Sequence, residues 1–349
     1  KLETAGALRG DLAWARAAPL AGTITLDEVT MHDADGRFAL DGVDGRVPLG
    51  ADAARDETLR WRSAALHRIP ISGGSLVLRA QDDRHALAAP LELALLDGRL
   101  RITRFALVRD GGARRIEAAL ALDAISVDAL TRALGWPAFG GSLSGTIPAL
   151  RSEGDVITFE GGLSFDVFGG RIEASALTLE RAFGVAPSLA AELAIEDLDL
   201  EALTSAFSFG TITGRLDGRI AGLRLLDWSP VAFDLSLATD PGYEGRKRIS
   251  QRAVGSLSAV GGAGAAGGIQ RGVMGIFDTF PYAAIGLTCR LRDNVCEMGG
   301  LDSENGGYTI VRGAGLPRLT VVGHQRRVDW PVLVARLKAA TEGDGPVVE

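Results

Sequence analysis

The sequence predicts a mainly β, antiparallel fold built from repeating units, each carrying one short helix. Three observations predict it. Apolar residues recur at every second position in short runs, which is the period of a strand with one covered face. Gly, Asp and Asn punctuate the runs, and these residues suit tight hairpin turns. The chain also matches itself at an offset of 73, where residues 122–131 read LDAISVDALT and residues 195–204 read IEDLDLEALT.

The strands follow in order. Thr23-Ile24-Thr25-Leu26 is one run and Ser75-Leu76-Val77-Leu78-Arg79 another. Leu91, Leu93 and Leu95 alternate up to an Asp97-Gly98 turn, and Leu100 and Ile102 alternate after it. Ile116, Ala118, Leu120 and Leu122 continue the pattern. Ile157, Phe159, Leu163 and Phe165 form the next series, then Leu189, Leu193 and Ile195, then Phe233, Leu235 and Leu237. Hairpins between neighbours make a meandering antiparallel sheet the economical arrangement.

Two further matches share the repeat register. Gly141-Ser-Leu-Ser-Gly-Thr-Ile147 aligns with Gly214-Arg-Leu-Asp-Gly-Arg-Ile220, and Leu96-Asp-Gly-Arg-Leu100 with Phe168-Gly-Gly-Arg-Ile172. Each unit is therefore several strands followed by a helix. Ser126 and Asp199 hold the same repeat position and are expected to cap the helices by accepting first-turn N–H groups. Leu130 with Leu134, and Leu203 with Phe207, stand four apart on one helical face. Gly135 and Gly210 are expected to end the helices in a left-handed conformation. A third copy is expected at the end of the chain, with Asp329 as cap, Pro331 in the first turn, and Leu333 and Leu337 on the face.

The expected organisation is repeating β units over 1–242, an insertion over 243–280, and hairpins with a closing helix over 281–349. The insertion contains one expected helix starting near Arg248 and another over Ile269–Phe277. Its Gly/Ala tract, 261–268, reads as a hinge or close-packed turn, too Gly-rich for a spanning helix. Arg271 and Asp278 are the only charges between residues 253 and 289, so this stretch is a candidate for contact with a membrane or partner, or for plain helix packing.

Composition narrows the function. The 349 residues are 46% hydrophobic, enough for a sizeable core, and carry a net charge of −7. Lys occurs only at 1, 247 and 338, and Arg is scattered, so a nucleic-acid partner is not expected. Four His and two Cys make a metal centre unpromising. His324, near Arg326, Arg327 and Asp329, reads as a turn residue, and His32, His67 and His85 as residues of polar loops. Gly262-Ala-Gly264-Ala-Ala-Gly267 fits G-x-G-x-x-G, but a helix is expected before it and position 287 is Leu. The dinucleotide fingerprint needs a preceding strand and a following acidic residue. No catalytic motif occurs, so no enzyme activity and no cofactor is expected. The chain opens at Lys1 on strand-like material, and the expectation is a piece of a longer protein whose membrane anchor lies elsewhere.

Cys289 and Cys296 stand in LTCRLRDNVCEM, a sequence that reads as a tight hairpin. With the turn centred on Arg292-Asp293 the two would lie opposite, within reach of a cross-strand disulfide. Two buried thiols are the alternative. The disulfide is preferred, and it implies an oxidising compartment.

Strand after strand is apolar on one side and polar on the other, with few long helices to cover the apolar side. Two architectures meet this pattern: a sandwich or barrel whose sheets cover one another, and one long curved sheet whose apolar face takes a ligand. Repetition tilts toward the second. At this point the phrases LELALLDGRLRI (91–102), FDVFGGRIEAS (165–175), DLDLEALT (197–204) and ITGRLDGRIAGL (212–223) resemble the AsmA-like superfamily, which includes the YdbH- and TamB-type envelope proteins of Gram-negative bacteria. The ISQRAV segment, the hairpin cysteines and the RRVDW ending resemble the C-terminal part of YdbH-like members. The resemblance implies a taco-shaped β-groove in the periplasm that bridges the inner and outer membrane and lets phospholipid pass. It carries over no catalytic residue. About twenty strands at ~4.8 Å spacing would make roughly 95 Å of such a groove. Its expected lining is Ile24, Leu26, Leu76, Leu78, Leu93, Leu95, Leu100, Ile102, Leu120, Ile157, Phe159, Leu163, Phe165, Leu193, Phe233, Leu235 and Leu237. An envelope assembly factor that binds an outer-membrane protein through sheet edges is the alternative.

Overall fold

A computed structural model describes residues 2–13, 21–49, 51–82, 84–110, 113–135, 138–182, 184–262, 277–303 and 306–342. These residues form an antiparallel sheet of 22 strands, not closed into a barrel, with four short helices. The chain divides into two compact units. One comprises Lys1–Ser164 with Ala176–Pro187, the other Phe165–Ser175 with Ser188–Glu349.

The first unit contains β1 (Leu2–Ala13), β2 (Ala21–Asp33), β3 (Phe38–Leu49), β4 (Ala51–Leu66), β5 (Ile69–Asp82), β6 (Arg84–Leu87), β7 (Leu91–Leu95), β8 (Gly98–Asp110), β9 (Ala113–Ser126), α1 (Val127–Leu134) and β10 (Gly141–Glu153). β11 (Val156–Val167) and β12 (Gly170–Glu180) have residues in both units. The second unit continues with β13 (Ser188–Asp199), α2 (Leu200–Ala206), β14 (Ile212–Thr213), β15 (Arg215–Leu226), β16 (Ser229–Thr239), β17 (Arg248–Ser250), α3 (Gln251–Val260), β18 (Thr279–Arg292), β19 (Val295–Gly300), β20 (Tyr308–Gly313), β21 (Val321–Gly323), β22 (Arg327–Asp329) and α4 (Trp330–Glu342). None of the described helices is long and apolar enough to cross a membrane.

The three sequence matches belong to one three-dimensional device. Leu96-Asp97 and Phe168-Gly169 are two-residue hairpin turns, with φ of 47° and 62° in the first and 49° and 65° in the second. Such turns match the twist of the strands they join. The carbonyl of the first turn residue accepts the N–H of the helix cap: Ser126 N to Leu96 O is 2.9 Å, and Asp199 N to Phe168 O is 2.8 Å. The next strand then pairs through an identical bulge. Leu122 opposes Gly145 and Ile125 opposes Leu143; 73 residues on, Ile195 opposes Gly218 and Leu198 opposes Leu216. The extra residue adopts positive φ, 51° at Ala124 and 54° at Asp197. Its N–H is satisfied by a side chain across the pair, Ser144 Oγ at 3.1 Å or Asp217 Oδ1 at 2.8 Å. An extra bulge residue of this kind loses its ladder partner, and these side chains replace it.

The same bulge occurs near the N-terminus, where sequence comparison missed it. Leu26 opposes Gly45 and Val29 opposes Val43. Glu28 has φ 50° and donates its N–H to Asp44 Oδ1 at 2.9 Å. The signal was present, since Val43-Asp-Gly-Arg-Val47 parallels Leu216-Asp-Gly-Arg-Ile220, but not at a multiple of 73. The third helical copy is also present. The hairpin strand β19 pairs with β22, which leads directly into α4.

Several expectations are corrected. The β18–β19 turn is Asp293-Asn294, because Arg292 opposes Val295. Cys289 therefore opposes Met298, and Cys296 opposes Leu291. The cysteines are diagonal neighbours and still form the disulfide, with Cα atoms 5.6 Å apart. Gly135 does cap α1 in the left-handed region, but Phe207, not Gly210, ends α2. Gly210 instead makes room for α3: a Cβ there would lie 2.5 Å from Ala253 N. The helix expected from Arg248 begins at Gln251, after the short β17, because Ser250 caps it. His32 and His85 lie in β2 and β6 rather than in loops. Most of the 261–268 tract and of the Ile269–Phe277 helix lies outside the described residues.

Gly255 sits in the middle of α3, is exposed, and has open space where a Cβ would go. Glycine inside a helix costs about 0.5–1 kcal/mol relative to alanine. Gly255→Ala should therefore raise unfolding stability by about that amount, read as a higher denaturation midpoint.

The β2–β3 turn is tied by Asp33. Its side chain is buried, and it accepts from Arg37 Nη2 at 2.6 Å, Arg37 Nε at 2.8 Å and Arg37 N at 3.1 Å. These bonds from Arg37 hold the carboxyl far below the usual carboxylate range. A depressed folded-state pKa stabilises above the unfolded value and loses that contribution as pH falls through the folded one. Asp33→Asn should lower Tm at neutral pH, and the gap to the parent should close in strong acid. A gap that does not change with pH would contradict the assignment.

Candidate functional site

The register sorts the expected lining residues into rows. Residues directly opposite in an antiparallel pair share a face. In the first unit, Leu26, Gly45, Leu59 and Leu76 lie side by side across β2–β5. Ile24 opposes Val47, and Leu78 opposes Leu87. Ala80, His85, Leu107 and Ile116 carry the face through β6 to β9. Leu93, Leu100, Leu122 and Gly145 make another row, with Leu95 beside its turn. Leu91, Ile102, Leu120 and Ile147 make the next.

Breaks in alternation turn out to preserve this face. β8 is apolar at Leu100 and Ile102, then at Phe105 and Leu107, a change of parity. The register slips between Ile102 and Arg104, while the partner strand runs on unbroken from Leu122 to Ile116. A one-residue bulge reverses parity, so both halves of β8 face the same way. In β11, Ile157 and Phe159 alternate with exposed Thr158 and Glu160, and Leu163 and Phe165 resume after Gly161 and Gly162. Leu163 abuts Gly145.

The second unit repeats the arrangement. Leu193, Ile220, Leu235, Cys289 and Met298 form one row. Ile195, Gly218, Leu237, Leu287 and Gly300 form the next. Phe233, Leu291, Cys296 and Val328 form a third. The disulfide thus lies on the apolar side. Of the expected lining residues only Leu93 and Phe233 are buried, and the others are half-buried.

The opposite face is charged. Asp56 and Arg79 stand directly opposite with a contact of 2.7 Å, and Glu92 and Arg101 do so at 2.8 Å. Asp234 accepts from Arg290 at 2.9 Å and Arg292 at 3.0 Å, and bonding by Arg290 above all keeps its carboxyl below its ordinary pKa. Exposed pairs of this kind stabilise little. Their value here is diagnostic, because they mark the side that meets water. His32 Nε2 bonds Asp41 Oδ1 at 2.7 Å, and Ser63 Oγ donates to Asp41 Oδ2 at 3.1 Å. The carboxylate is central, so the histidine has no contact that would activate the serine as a nucleophile. Among the described residues no three His, Cys, Asp or Glu side chains group as metal ligands.

In the second unit the apolar face runs into a cavity of about 310 Å³ that is half open. Leu216, Leu237 and Leu287 bring the sheet to it; Leu203 of α2, Phe207 at the C-cap of α2, Leu257 of α3 and Leu337 of α4 cover it. Thr204 is the polar side chain in the lining. Its hydroxyl donates to Leu200 O at 2.6 Å and accepts from Ile212 N at 3.3 Å, so it is used within the fold. Sequence reading found Leu237 and the Leu203–Phe207 helical face but did not connect them, since alternation carries no information on which helix covers which strand.

No protein-family model, curated protein or solved structure matches the chain.

Proposed function

We propose that the protein is a β-groove that holds phospholipid acyl chains on its apolar strand faces and lets them pass along it. One observation supports this most: apolar side chains align from strand to strand and across the bulges, with glycines, His85 and Glu57 as the interruptions, and all but Leu93 and Phe233 of the expected lining residues are half-buried, although the row Phe233–Leu291–Cys296–Val328 is buried throughout. An acyl chain laid on such a row leaves water, worth about 0.8 kcal/mol per CH₂. The headgroup stays at the wet margin beside the charged face. No reaction is involved, and no cofactor is required by this reading. A location in the periplasm, between inner and outer membrane, rests on the family resemblance and on the Cys289–Cys296 disulfide, a bond that persists in oxidising compartments.

The test is chemical. Purified protein extracted with organic solvent should release phospholipid, identified by mass spectrometry. Protein that emerges lipid-free, and stays so after incubation with phospholipid vesicles, would overturn the reading.

β1 favours a second reading, an assembly factor that docks an outer-membrane protein at a sheet edge. β1 pairs with β2 along its length, and Leu2, Leu8 and Leu12 on it are 52%, 68% and 49% exposed. Long apolar edge strands are templates for a further strand. Photocrosslinkers at Leu8 that capture protein and never lipid would favour this reading.

A further inference from the structure

We propose that the cavity of the second unit is a separate, single-occupancy site for one unbranched aliphatic chain, entered end-on. The inference rests on the reading that the apolar faces accept acyl chains, and deepens it by giving one tail a terminal station.

Four observations identify the occupant. The lining offers it no free polar group, because the Thr204 hydroxyl already bonds Leu200 and Ile212. A polar ligand would lose its hydration without replacement, and an apolar one would not. The volume, about 310 Å³, lies at the small end of ligand pockets. A volume at this end of the range suits one chain rather than a whole phospholipid. Leu237 and Leu287 belong at once to the sheet row Ile195–Gly218–Leu237–Leu287 and to the cavity wall. A chain lying on that row is therefore led inward without crossing a polar group. At the mouth, Leu337 of α4 is 37% exposed and Leu203 of α2 half-buried. The polar end of the occupant can remain in water there while its tail is covered.

The site is distinguished from the face in composition as well as in place. Rows on the sheet are built from strands alone, and apart from the buried row Phe233–Leu291–Cys296–Val328 their lining side chains are mostly half-buried. The cavity is walled by three helices, and Leu257 on α3 is buried while facing it. A helix-walled pocket of fixed volume holds a fixed number of ligands. An open face does not.

The experiment uses the intact chain and 11-(dansylamino)undecanoic acid as a fluorescent probe. Titration should show one saturable high-affinity probe site per chain, with blue-shifted emission, distinct from any weaker unsaturable uptake by the open face. Dodecanoic acid should displace the probe, and cholesterol should not. Leu203→Trp and, independently, Leu257→Phe should each weaken the probe at least tenfold without lowering Tm, since both add atoms to a void. Val185→Asp, at an exposed position of the first unit that belongs to no lining row, should leave this binding unchanged. Absence of a saturable one-probe component, or unaltered high-affinity binding in both filled variants, would overturn the inference. The groove reading fails separately: one-site probe binding without any co-purifying phospholipid would remove the groove and leave the cavity site standing.

Discussion

Leu235→Asp should yield a folded chain whose co-purifying phospholipid falls at least tenfold. Leu235 lies in the middle of the row Leu193–Ile220–Leu235–Cys289–Met298, and its neighbours on either side are aliphatic or sulfur-containing. A carboxylate there would hold water exactly where the acyl chain must be dry, and an ionised group in an apolar setting is costly unless paired. The fold should tolerate it because Leu235 is half-buried, so the new charge can keep part of its hydration. A stability loss of about 2–3 kcal/mol is expected from the lost leucine burial. Leu291→Asp supplies the contrast. Leu291 is fully buried, and its replacement should prevent folding outright. The measurement pairs thermal unfolding with lipid mass spectrometry on both variants. If Leu235→Asp unfolds as Leu291→Asp does, the row is ordinary core and the groove is wrong.

The second large effect concerns the repeat itself. Gly98→Ala and Gly170→Ala should each destabilise their unit by about 2–4 kcal/mol. These glycines follow the two hairpin turns and pass beneath the bulge of the neighbouring strand. A Cβ at Gly98 would lie 2.5 Å from Ala124 O, and one at Gly170 would lie 2.4 Å from Asp197 O. The obstacle is backbone held by a bulge and a helix cap, so no side chain can rotate away. Gly140→Ala is the control, since nothing stands within 4 Å of its added methyl, and it should change stability by less than about 0.5 kcal/mol. Denaturation midpoints for the three variants decide the matter. Equal, mild effects would show that the repeated glycine has no packing role.

Both experiments bear on why the repeat was visible in sequence at all. Loose β phrases usually drift, because many residues satisfy one half-buried position. Here the matched residues have particular tasks. Gly98 and Gly170 clear a bulge, Ser126 and Asp199 cap a helix, and Ser144 and Asp217 bond an otherwise orphaned N–H. Residues between them only need to be apolar or polar at the right parity, and there the copies diverge. The N-terminal bulge at Glu28 escaped notice because it has the phrase Val43-Asp-Gly-Arg-Val47 without the helix that follows in the other copies.

The amino-acid sequence by itself determined the class of fold, many of the strands, the N-caps of α1 and α2, the repeat offset and the identity of the apolar side chains. These are local matters of period, turn chemistry and first-turn hydrogen bonding, and each is settled within a few residues. The tertiary structure alone decided the rest. It placed the β18–β19 turn one residue later than expected, which put Cys289 and Cys296 on a diagonal. It showed that changes of parity, as in β8, are bulges that keep the apolar side facing one way. It gathered α2, α3 and α4 around one cavity although their residues are separated by loops and strands. Register and helix placement depend on which distant surfaces meet. Alternation says that a strand has an apolar side and is silent on what covers it.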